Sequence, residues 1–175
     1  LLQDAFRSRE ATNDDRLLIL SSLARLRDEQ TIEMAERLLT REPHGDEAEV
    51  LAALALHPDP AGIGMVADFV EREPPPDAKE MVAACRLLGE MAAAAEVSGD
   101  RRQTDRALRA LQRLFPKTLA GEVYAAAAEA LAKAVDDIAL LEPPVAMLKR
   151  VEHAGGFAGR KAAGHVRADL RGDVR

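Results

Sequence analysis

The chain has 175 residues, 47% of them hydrophobic and 31% charged, with a net charge of −6. That balance excludes a disordered chain and fits a folded, soluble domain with a sizeable core. The acidic total counts against general nucleic-acid binding, which draws its affinity from neutralised phosphates, and no apolar run is long enough to span a bilayer.

Alanine dominates the apolar set, in runs such as Ala92 to Ala95 and Ala125 to Ala128. Aromatic residues are confined to Phe6, Phe69, Phe115, Phe157 and Tyr124. Alanine has the highest helix propensity and lets neighbouring helices approach closely, while strand-favouring residues are scarce, so an all-α fold is expected.

In chain order, Asp14 or Asp15 is placed to cap a helix running to about Arg27, with Leu17, Leu20, Leu23, Ala24 and Leu26 at helical spacing. A turn at Asp28-Glu29 leads into a second helix, about Thr31 to Arg41, stopped by Pro43 and Gly45. The same plan follows from Asp46 to Leu56, through a His57-Pro58-Asp59-Pro60 turn, then from Ala61 to Glu73 before Pro74-Pro75-Pro76. Pro60 suits the first turn of its helix, where its missing N–H would be unpaired anyway. Asp77 caps a helix to about Ala94; an irregular stretch around Val97-Ser98-Gly99-Asp100 precedes a helix from Thr104 to Phe115. Helices from about Leu119 to Val135, Pro143 to His153 and Phe157 to Arg171 complete the series, with a remnant in Leu1 to Arg9.

These elements repeat. Laying Leu18–Pro43 over Glu49–Pro74, an offset of 31 residues, matches Leu20/Leu51, Leu23/Leu54, Ala24/Ala55, Asp28/Asp59, Ile32/Ile63, Met34/Met65, Arg41/Arg72, Glu42/Glu73 and Pro43/Pro74. The identities fall on apolar spacings and on punctuation, the signature of stacked supersecondary units. The units are expected at 14–45, 46–76, 77–117 and 118–154, with a partial one at 155–175, all in one domain. The chain opens on Leu1-Leu2, so it is expected to be part of a longer one.

An Ala/Leu-rich helix, an Asp-bearing turn (Arg27-Asp28, Pro58-Asp59-Pro60, Asp136-Asp137) and a second helix starting with Ile or Val resembles HEAT repeats. The likeness is to the short variety found in phycobilin-lyase-type and other bacterial HEAT-like proteins. It implies an α-solenoid of about four to five antiparallel helix pairs, with the second helices lining the concave side. Tetratricopeptide repeats are the nearest rival, disfavoured by the lack of their Trp and Gly-Tyr signature, and a plain helical bundle is the other alternative.

Chemistry is thin. His44, His57, His153 and His165 lack metal-binding spacing, and Cys85, in an apolar run, reads as a small buried residue. Gly155-Gly156-Phe157-Ala158-Gly159-Arg160-Lys161 is faintly similar to a phosphate loop, but no strand precedes it and Ala162-Ala163 replace the hydroxyl residue. Ser21-Ser22, the pairs Glu33/Glu36 and Asp136/Asp137, and Arg171-Gly172-Asp173 all have simpler readings. No catalytic residue, metal site or cofactor is expected. Residues 149–175 carry seven Lys/Arg against three acids, a net +4 that leaves −10 on the remainder.

What remains is surface. The polar faces of the second helices offer Glu33, Arg37 and Arg41, then Asp68, Glu71 and Arg72, then Arg106, Arg109 and Arg113. The last three recur at i, i+3 and i+7, on one face, and arginine suits planar acidic groups. A protein-binding or scaffold module, cytoplasmic by default and not an enzyme, is the expected role, with another protein as partner. Two alternatives stand beside it: a spacer in a longer solenoid, and a lyase-like, cofactor-handling or nucleic-acid-handling domain.

Overall fold

The computed structural model describes residues 2–8, 11–40, 46–115 and 120–134. These form eight α-helices with no strand among them: α1 (Leu2–Arg7), α2 (Asn13–Leu26), α3 (Thr31–Thr40), α4 (Glu47–Leu54), α5 (Ile63–Val70), α6 (Ala78–Ser98), α7 (Arg101–Gln112) and α8 (Gly121–Ala134). The helices expected at Pro143 to His153 and Phe157 to Arg171, the glycine-rich stretch at Gly155 and the basic residues 149–175 lie outside the described residues.

Local chemistry fixes the helix ends. Thr12, rather than Asp14 or Asp15, caps α2: its Oγ1 accepts the Asp15 N–H at 3.2 Å, and Asp15 Oδ2 accepts the Thr12 N–H at 2.9 Å. The two orphan donors of the helix start are thereby satisfied reciprocally. The helix closes at Arg27, left-handed with φ 56°, and the Asp28 N–H returns to the Leu23 carbonyl at 3.0 Å. Asp28 Oδ1 then accepts the Gln30 N–H at 2.9 Å, and Asp59 Oδ1 accepts the Ala61 N–H at the same distance. The two aspartates aligned by the 31-residue offset therefore make the same turn, one before α3 and one before the short 3₁₀ turn Pro60–Gly62 that opens α5.

Asp77 caps α6 in a second reciprocal box with Glu80. That helix continues a full turn past the expected end near Ala94, because Glu96, Val97 and Ser98 sustain it until Gly99 turns left-handed at φ 76°. Asp100 immediately caps α7 by accepting the Gln103 N–H at 3.2 Å, so α7 starts three residues before the expected Thr104.

α4 lies against α2 and α6, and α6 against α8; α3 lies against α2 and α4; α5 lies against α6 and α7, and α7 also meets α8. Leu20, Leu23, Leu51, Leu54, Ile63, Leu87, Leu88, Met91, Leu111 and Leu114 are all at least 98% buried in one continuous core. Each such side chain contributes about 1.5–3 kcal/mol relative to its exposed state. Cys85 sits in this core with no exposed surface, and burial pushes its thiol pKa up to about 12. The α6–α8 contact is close: a Cβ added at Gly89 would lie 2.8 Å from the Ala130 Cα. No helix among the described residues is long and apolar enough to cross a membrane.

Candidate functional site

Between α5 and α7 runs a groove of about 770 Å³. Its floor is small and apolar, Ala67 from α5 and Ala110 from α7, each at least 96% buried. Its walls are charged: Asp68 and Glu71 on one side, and Arg102, Arg106, Arg109 and Arg113 on the other, with Asp100 and Gln103 at one end. The four arginines follow i, i+4, i+7 and i+11 and so form one strip along α7, while the other face buries Ala107, Leu108 and Leu111.

Two of the arginines are tied across the groove. Arg106 Nη2 donates to Asp68 Oδ1 at 3.2 Å and reaches the Gly64 carbonyl at 3.5 Å. Arg113 Nη1 donates to both Glu71 oxygens, at 2.9 and 3.2 Å. Gly64 makes room for this: a Cβ there would stand 2.6 Å from the Arg106 guanidinium. The other two are held loosely or not at all. Arg109 Nη2 lies 3.8 Å from Asp105 Oδ2 on its own helix, beyond hydrogen-bond range, and Arg102 makes no ion pair among the described residues.

Of the residues singled out in the sequence, the groove thus gathers Asp68, Arg106, Arg109 and Arg113, together with Glu71. Arg37 is elsewhere, on α3, paired with Glu33 one turn away at 2.5 Å. Arg72 is occupied by the fold: it donates to the Leu39 carbonyl in the last turn of α3, and its guanidinium stands 4.7 Å from the centre of the Phe69 ring. Arg41 lies outside the described residues. Arg102 and Asp100 escaped the sequence reading because they precede the expected start of α7; an aspartate directly after a glycine is the capping signal that places both.

No protein-family model matches the chain, and no curated protein matches it.

The other chemistry is sparse. Among the described residues no three His, Cys, Asp or Glu side chains converge as a metal site would require. Ser22 Oγ is spent on the Leu18 carbonyl at 2.8 Å. A second cavity, beside Asn13, Leu17, Leu38 and Glu47, measures about 20 Å³, room for a single water.

Proposed function

We propose that this chain is a HEAT-like stack of antiparallel helix pairs serving as a non-catalytic protein-binding module. Its contact surface is the groove between α5 and α7. The succession α2, α4, α6, α8, each against the next, together with α5 against α7, supports the stacked arrangement. So does the shared turn chemistry of Asp28 and Asp59 at matched positions.

One observation carries the binding role: four arginines in a single exposed strip face a groove floored by alanine. Arginine combines a planar multidentate donor with a long apolar stem, which is why it recurs where protein surfaces meet. A strip used only for solubility has no need of a cleft beneath it.

The test is site-specific cross-linking in the native host, with a photoreactive residue at position 103 inside the groove or at exposed Glu122 outside it. A protein adduct is expected from position 103 alone, and its loss when Arg109→Glu and Arg113→Glu are combined. Equal adducts at both positions, or an adduct indifferent to the charge reversal, would sink the reading. A spacer role in a longer stack is the second reading, favoured by Leu18 and Leu26, each 69% exposed about two turns apart on α2. The two exposed leucines, with Ser22 between them, are open to a further helix.

A further inference from the structure

The arginine strip of α7 alternates in what holds it. Arg106 and Arg113 are committed to Asp68 and Glu71 across the groove, at 3.2 and 2.9 Å. Arg102 and Arg109, between and beside them, open into the same groove, one with no ion pair among the described residues and the other 3.8 Å from its nearest carboxylate. Seven residues separate the open pair, which places them about 10 Å apart along the helix axis.

We propose that the groove receives an acidic segment of a partner protein, two of whose carboxylates are taken by Arg102 and Arg109. The proposal rests on the reading of this groove as the contact surface and specifies its ligand. Carboxylates seven residues apart on a helix match the spacing. The paired arginines do a different job: they hold the two carboxylates of the α5 wall and leave Arg102 and Arg109 to meet the ligand. The alanine floor leaves depth for the segment's backbone and small side chains.

The charge pattern selects against a nucleic acid. Asp68, Glu71 and Asp100 border the same groove. Duplex DNA carries about one negative charge per 1.7 Å and would be forced against them. A peptide with separated carboxylates places its charges opposite the two open arginines and leaves the stretches between them neutral.

The experiment uses the full chain and fluorescence anisotropy with three labelled peptides. One carries Glu pairs at i, i+7 in an Ala/Gln helical background; in the others Gln or Lys replaces Glu. An oligodeoxynucleotide of equal charge is the fourth probe. The Glu peptide is expected to bind about tenfold more tightly than the Gln peptide, the Lys peptide least, with affinity falling as salt rises. The combined Arg102→Glu and Arg109→Glu variant should erase the preference at an unchanged melting temperature, whereas Arg101→Glu, outside the groove, should keep it. Equal affinity for the Glu and Gln peptides, a preference that survives the double reversal, or tighter oligonucleotide binding lost on that reversal would each overturn the proposal. If the cross-linked partner still requires the groove while the Glu peptide does not bind, the ligand assignment fails and the binding-module reading stands. If no partner cross-links at position 103, the binding-module reading fails and the ligand assignment falls with it, whatever the peptide does.

Discussion

Two helix contacts in this molecule use the same device to opposite ends. At α6–α8, Gly89 lets the two backbones close to a distance no side chain would tolerate, and Ala126, Ala127, Ala130 and Leu131 bury fully around it. An ion pair there, Lys133 with Glu90, sits on the exposed rim. At α5–α7 the glycine is Gly64, and the space it frees is filled by the Arg106 guanidinium rather than by a backbone. The first contact is dry and closed; the second is apolar only at its floor and charged above. A small residue is thus not by itself a sign of tight packing: what occupies the vacated volume decides whether the contact carries stability or offers a surface.

The α6–α8 contact is most sensitive at Gly89. Replacing it with Val should cost about 3 kcal/mol, since the new atoms meet Ala130 backbone that cannot swing aside. Urea denaturation gives the figure, and Cys85 gives an independent view. Its thiol, with a pKa pushed up to about 12 by burial, should react with a thiol reagent only on opening, faster in the variant. An unchanged midpoint would mean that the α6–α8 crossing is looser than described. Removing the α6 cap by Asp77→Ala should cost about 1 kcal/mol, less than disturbing the crossing itself.

The charged contact should respond weakly by the same measure. Arg106→Ala combined with Arg113→Ala is expected to cost less than about 1 kcal/mol, because both pairs are at least partly exposed to solvent. Gly64→Ala sharpens the contrast: the added methyl displaces only the mobile end of Arg106, and improved helix propensity offsets the lost contact, for a net change under about 0.5 kcal/mol. A large loss in either would assign the α5–α7 charges to the fold. The smallest effect lies away from both contacts. The Thr12 hydroxyl, and then its N–H, hold the Asp15 carboxyl below its usual pKa. That contribution is present above the ordinary carboxylate range and fades as pH falls through the lowered value. Circular dichroism should therefore show an Asp15→Asn deficit at neutral pH that narrows in acid; a deficit that widens in acid would contradict it.

Much of the helix order was legible because it rests on local chemistry: alanine content, apolar spacing, and aspartates before helices. The errors were also local. A Thr-x-x-Asp box read as a lone aspartate cap shifted the start of α2. Placing the break at Val97-Ser98 hid the last turn of α6 and, with it, Arg102. The arginine periodicity of α7 was visible, but which arginines are held is set by Asp68 and Glu71, some 38 and 42 residues earlier. Arg72, alike in type and exposed in expectation, turns out to be occupied by the Leu39 carbonyl. No spacing rule carries pairings made only when distant helices meet.

The role proposed for the open arginines of α7 is binding and not stability. Measuring melting temperature and groove cross-linking side by side on the Arg102→Glu and Arg109→Glu double variant tests it most directly. An unaltered melting temperature with the adduct gone is expected. A lowered melting temperature, or an adduct that persists, would contradict it.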